Sequence, residues 1–246
     1  MFQQFINRKE ELNSLEEHFV SGKPEFILIY GRRRVGKTEI ITHFIKSKPS
    51  IYFLAEEKRY DDNLNEMKSI MGNFLKDDEF GRINFENWAQ LFKSFLEKIS
   101  ERTIVVIDEF PYLVMENNAI PSEFQKIWDL YLSKSDKIML VLVGSSISMM
   151  EKLLGRKSPL FGRRTAQLEV KPVNIFQLKE FFPERSIEEC INIYGCTDGI
   201  PLYLKQFGTK TDVFENMNNI FFRRDSPLYS EAEILMKQEF REPANY

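Results

Sequence analysis

Residues 25–38 read EFILIYGRRRVGKT, and the order of that stretch decides what kind of chain this is. Residues 25–30 are apolar almost throughout, the pattern of a strand covered on both faces. Residues 31–38 fit G-x-x-x-x-G-K-[ST], and Lys37–Lys46 carries helical spacing. A glycine-rich loop between a strand and a helix is a phosphate cradle. Gly31 and Gly36 let the backbone wrap a triphosphate with successive N–H groups turned towards it. The start of the helix adds its positive end. Lys37 then reaches the β- and γ-phosphates, and the Thr38 hydroxyl ligates Mg²⁺. The candidate nucleotide-binding positions here are Gly31, Arg32, Arg34, Val35, Gly36, Lys37, Thr38 and Glu39. Arg32, Arg33 and Arg34 either face phosphates or are solvated loop charges.

Working outward, four more short apolar runs follow at 51–55, 103–108, 138–144 and 166–173. Segments with three- and four-residue apolar spacing lie between them, one after Asn84, a candidate N-cap, and one after Pro121-Ser122. Strand, helix, strand, helix is the signature of an α/β fold with a parallel sheet, here of five strands. From Asn174 to about Gly208 only helices are expected. The predicted organisation is a nucleotide-binding α/β domain over 1–173 and a small helical domain with a C-terminal tail over 174–246. Within 56–83 a helix is predicted around Asn63–Leu75, and another near Glu231–Phe240.

The third run, Ile104-Val105-Val106-Ile107, delivers Asp108 and Glu109 at its end. Ligands of open parallel sheets sit at such carboxyl ends. Asp108 is the candidate Mg²⁺ partner of Thr38, and Glu109 the candidate base that orients and deprotonates a water. A carboxylate beside the metal position suits hydrolysis; a kinase would have to exclude water. The fourth run ends in Gly144-Ser145-Ser146, where Ser145 is either a γ-phosphate sensor or an ordinary helix cap.

The 246 residues carry a net charge of −3 and are 43% hydrophobic, with 22 Phe. That is a globular composition without the basic surplus of a protein that grips nucleic acid through phosphates. Cys190 and Cys196, with His18 and His43, lack the spacing of a zinc site. No apolar stretch has the length of a membrane span. A cytoplasmic protein is expected.

Taken in order, the motifs resemble the archaeal-type P-loop ATPases related to AAA+ and STAND proteins. FINRKEEL (Phe5–Leu12) is similar to the family's N-terminal box, YGRRRVGKTEII (Tyr30–Ile41) to its Walker A segment and VVIDEFPYL (Val105–Leu113) to its Walker B segment. LVGSSISMMEKLL (Leu142–Leu154) resembles its sensor strand, SPLFGRR (Ser158–Arg164) its arginine-finger segment and DGIPLYL (Asp198–Leu204) its helical-lid signature. Asn7 stands where the box usually has glycine. The resemblance implies an additional strand between the P-loop and Walker B strands, and a helical lid. It implies adenine contacts from Phe5, Ile6 and Arg8, a lid contact through Pro201, and a finger at Arg163 or Arg164, in cis or from a neighbouring subunit. Phe5 and Ile6 can equally be a packed arm, and the arginines a surface pair. In family members a stretch like FREPANY (Phe240–Tyr246) leads into a winged-helix domain, so any DNA contact is expected through that missing module.

The expected function is MgATP binding and hydrolysis as a conformational switch or motor. The competing reading is a nucleotide-gated scaffold that turns over little until a partner supplies an arginine.

Overall fold

A computed structural model describes residues 8–208, 211–226, 228–231, 233 and 234. The chain divides into two compact units. One holds residues 9–33 and 37–170. The other gathers Arg8, Arg34–Gly36 and the described residues from Lys171 on.

The larger unit is built on a sheet in the order β2-β3-β4-β1-β5, with every pairing parallel. Its strands are β1 (Glu25–Tyr30), β2 (Ser50–Leu54), β3 (Thr103–Asp108), β4 (Ile138–Gly144) and β5 (Ala166–Glu169). β4 therefore lies between the strand before the glycine loop and the strand that ends in Asp108, as the family resemblance implied. Its helices are α1 (Lys9–Val20), α2 (Lys37–Ile45), α3 (Tyr60–Leu75), α4 (Asp78–Arg82), α5 (Trp88–Lys98), α6 (Phe110–Glu116), α7 (Ile120–Leu130) and α8 (Ile147–Leu154).

All residues of β1, β3 and β4 are buried, which is why their sequences do not alternate. Against one face, α5 and α7 bring Trp88, Phe92 and Phe124 together with Phe110 of α6. The Trp88–Phe124 and Phe92–Phe124 centroids are 5.8 Å apart, and Phe110–Phe124 are 5.0 Å apart edge to face. Each such fully buried ring stabilises the fold by about 1.5–3 kcal/mol.

Several boundaries differ from the sequence expectation. Asn87, not Asn84, caps α5, its side chain accepting from Gln90 N–H. α3 starts at Tyr60, so Asn63 lies inside it, fully buried, with its amide holding the backbone of Glu56 and Lys58. β5 stops at Glu169 instead of reaching Val173, although Val170 N–H still donates to Tyr30 O at 2.7 Å. Pro172 has no N–H with which to continue a ladder.

The smaller unit contains α9 (Leu178–Phe181), α10 (Ile187–Thr197), α11 (Pro201–Leu204) and α12 (Val213–Met217) around Leu178, Ile193, Leu204, Phe207 and Val213. A reciprocal capping box between Ser186 and Glu189 opens α10. Of the helix predicted over 231–240, only its first residues fall among those described. Among the described residues, no helix is long and apolar enough to cross a membrane.

Candidate functional site

β1 ends at Tyr30 and the chain turns at Gly31 with φ 155°, where a Cβ would lie 2.2 Å from Val170 O. Only glycine fits so close to another backbone. Arg34 and Gly36 also have positive φ, at 71° and 96°. α2 then begins at Lys37, whose ammonium donates to the carbonyls of Gly31 at 2.8 Å and Arg32 at 2.9 Å. Lys37 is buried. Burial pushes its pKa down, and the nearby carboxylates of Glu109 and Asp108 work against that shift.

One residue on, the Thr38 hydroxyl donates to Asp108 Oδ2 at 2.9 Å. The same oxygen accepts the Tyr52 hydroxyl from β2 at 2.6 Å, and Asp108 Oδ1 accepts Glu109 N–H at 2.9 Å. Asp108 is only 2% exposed. A buried carboxylate is tolerable because three donors and a cation surround it. Glu109 begins the turn into α6 in the left-handed region, φ 51°. Its Oε2 accepts Ser145 N–H at 3.3 Å, and its Oε1 accepts the Ser145 hydroxyl. The two serines after β4 divide their work: Ser146 caps α8, while Ser145 faces the acid pair.

Lys37, Thr38, Asp108, Glu109 and Ser145 thus converge at the carboxyl ends of β1, β3 and β4. The other predicted positions are placed differently. Val35 is buried, whereas Arg32 and Glu39 are exposed. Arg8 donates to Val35 O and Lys171 O, both at 2.9 Å. Arg34 pairs with Glu231. Pro201 is buried in the first turn of α11. Arg163 grips Asp129 through Nε at 2.9 Å and Nη2 at 2.8 Å, and its Nη1 donates to Pro159 O. Arg164 donates to Leu154 O at 3.2 Å. Phe5 and Ile6 lie outside the described residues.

A family model described as an ATPase domain predominantly from Archaea matches residues 5–207. The chain belongs to this ATPase family. An uncharacterized protein of Methanocaldococcus jannaschii is 42% identical over 243 residues, covering 98% of this chain and 52% of that protein. The chain therefore spans about half the length of that relative. Among solved structures, a Walker-type ATPase of Pyrococcus abyssi superposes with TM-score 0.66 at 24% identity, over 98% of this chain and 76% of that one. The Aeropyrum pernix ORC2 protein gives TM-score 0.56 at 13% identity, over 77% and 58%. A STAND protein with a tetratricopeptide repeat sensor from Pyrococcus horikoshii gives 0.51 at 18%, over 87% and 32%. These structural likenesses establish the shared P-loop fold.

For an ATPase of this family, the donor set at Thr38 and Asp108 suits Mg²⁺. It is one hydroxyl and one carboxylate, hard oxygen donors that leave most coordination positions to water and phosphate. Among the described residues, no group of three or more His, Cys, Asp or Glu forms a self-sufficient metal cage. Two participants escaped the sequence reading. Tyr52 lies in an apolar strand and reads as core, but its ring carries a hydroxyl beside the strand that ends in Asp108. Glu231 has no local signal at all, because its partners are remote in sequence.

Proposed function

We propose that the chain binds MgATP on residues 31–38 and hydrolyses it, working as a conformational switch whose helical residues from 174 on act as a lid. The observation that carries this reading is the contact between Thr38 Oγ1 and Asp108 Oδ2 at 2.9 Å. It joins the end of the glycine loop to the end of β3, and these two side chains would hold Mg²⁺. When bound, Mg²⁺ neutralises phosphate charge and orients the transferred group. Lys37 adds a second cation to the same phosphates. Glu109 takes a proton from the attacking water, and Ser145 holds the carboxylate that does so. Gly31, Val35, Gly36 and Glu39 are proposed to complete the nucleotide-binding segment. Arg8 and Pro201 are proposed to border the nucleotide, and Arg163 or Arg164 to supply an arginine in its own or a neighbouring copy.

The test is phosphate release and ATP binding in parallel. Lys37→Ala loses ATP binding, and Glu109→Gln keeps binding while losing most turnover. Wild-type turnover in Glu109→Gln would rule out Glu109 as the base.

A second reading, the nucleotide-gated scaffold, is favoured by one observation: the Glu109 carboxylate is engaged by both donors of Ser145. A base so engaged turns over slowly until another group releases it. Turnover per chain that rises with protein concentration supports an arginine donated between copies. A flat, near-zero rate with tight ATP binding supports the scaffold. DNA association of the whole protein is proposed only through a C-terminal module, by likeness to relatives such as the Aeropyrum pernix ORC1 protein, solved in complex with DNA.

A further inference from the structure

The middle of the glycine loop, Arg34–Gly36, groups with the smaller unit, and two sets of contacts hold it there. Arg8, itself buried, grips the Val35 carbonyl. Arg34 pairs through Nη1 with Glu231 Oε1, and its guanidinium lies 6.0 Å from the centre of the Tyr203 ring. The Tyr203 hydroxyl donates to Glu231 Oε1 at 2.7 Å. Glu231 is 6% exposed. A carboxylate that deep in the protein is costly unless it is paired. Burial pushes its pKa up, and Arg34 and Tyr203 more than offset this and hold it below the usual glutamate value.

The Nη1 donor that meets this carboxylate is not available to a triphosphate. Nor is Glu231 a neutral bystander, since a negative charge held against the loop repels phosphate unless Arg34 stays on it. Arg34 also occupies the left-handed region, which a non-glycine residue keeps only when its surroundings enforce it.

We infer that Arg34 is a positioning residue and not a phosphate ligand, tied by Glu231 and Tyr203 so that the backbone of Arg34–Gly36 is preset for the nucleotide. This rests on the reading of residues 31–38 as the ATP site. It makes Glu231, far along the chain, part of what sets ATP affinity.

The two roles predict opposite signs. If Arg34 were a phosphate ligand, Glu231→Gln would release it and tighten ATP binding. If Arg34 is tied as inferred, Glu231→Gln loosens the loop and weakens binding. The experiment titrates the full chain with a fluorescent ATP analogue and measures turnover alongside. Arg34→Ala and Glu231→Gln are each expected to weaken binding roughly tenfold, the double variant no more than either, because coupled partners do not add. Arg34→Lys recovers most of the affinity.

Tyr203→Phe removes one hydroxyl only, and is expected to weaken binding about threefold. It decides the matter if Glu231→Gln does not fold. Tighter binding in Glu231→Gln, additive losses in the double variant, or unchanged affinity in Tyr203→Phe overturns the inference. Lys37→Ala is measured beside them: if it still binds ATP as the wild type does, the ATP-site reading itself fails, whatever Arg34 does.

Discussion

Thr38 Oγ1 stands 2.9 Å from Asp108 Oδ2 although 70 positions separate the two residues. The fold closes that gap because β1, β4 and β3 run parallel, so that the end of β1 and the end of β3 open on the same carboxyl end of the sheet. Asp108→Asn keeps the shape of the side chain and removes its charge. Its affinity for ATP without magnesium is expected to stay within about twofold, while the tightening that Mg²⁺ brings falls at least about tenfold. Titrations with and without a chelator measure both. An equal loss under the two conditions would mean that Asp108 acts on the fold instead of on the metal.

Tyr52 makes a finer prediction. Its hydroxyl, 2.6 Å from Asp108 Oδ2, shares that oxygen with Thr38 and fixes the carboxylate's rotation. Burial and the Asp108 contact push the phenol's pKa up, so it remains a donor at any ordinary pH. Tyr52→Phe leaves the ring in place and frees the carboxylate. It should raise the Mg²⁺ concentration for half-maximal turnover about threefold, with turnover at saturating Mg²⁺ and binding of metal-free ATP little changed. A magnesium titration at fixed ATP reads the shift.

β1, β3, β4 and the acid pair were legible because burial on both faces leaves no ambiguity: Ile104 to Ile107 are all fully buried and all aliphatic. What sequence could not resolve was decided by tertiary contact. Asn84 and Asn87 are chemically equal candidates for a cap, and the structure gives the cap to Asn87, next to the buried Trp88. Tyr52 reads as another core ring until register sets Leu54 opposite Asp108 and turns the Tyr52 hydroxyl to its carboxylate. Arg34, one of three arginines in a row, reads as either a phosphate contact or a loop charge. Its pairing with Glu231 is a long-range contact to a weakly periodic segment, which no local pattern announces. The serines after β4 were ambiguous for the opposite reason. Each could do either job, and the structure gives the cap to Ser146 and the acid contact to Ser145.

Gly199 is expected to control the stability of the smaller unit. It has φ 66°, and a Cβ there would stand 1.9 Å from the backbone oxygen of Val173, whose N–H donates to Gly199 O at 2.9 Å. Neither backbone can yield without breaking that contact. Gly199→Ala should cost about 2–4 kcal/mol, read as a lowered midpoint in denaturant. An unchanged midpoint would contradict this packing.

Glu25 sets an acid limit on the larger unit. It is buried at the start of β1, accepts Ser21 Oγ at 3.0 Å and the Thr165 hydroxyl, and pairs with His18 Nδ1 at 2.9 Å. Burial pushes its pKa up, but the donors win, led by Thr165 and then His18, and the net displacement is downward from 4.5. A depressed carboxylate stabilises the folded state above its unfolded pKa, and that contribution is lost as pH falls through the folded value. Wild type should therefore exceed Glu25→Gln by about 1–3 kcal/mol at neutral pH. The gap should close below about pH 4.5 in parallel melts. A gap that is constant with pH would show that the charge is not what matters.

Ser145 decides between the two functional readings, because its donors hold the very carboxylate that must act as base. Ser145→Ala removes the hydroxyl and leaves the N–H in place. If the hydroxyl serves the reaction by orienting Glu109 and meeting the γ-phosphate, turnover falls about tenfold with ATP affinity within about twofold. That is the expected result. If instead the hydroxyl restrains the base, as the scaffold reading requires, Ser145→Ala turns over faster than wild type. Single-turnover phosphate release with ATP bound in advance separates the two, since it reads the chemical step without the binding step.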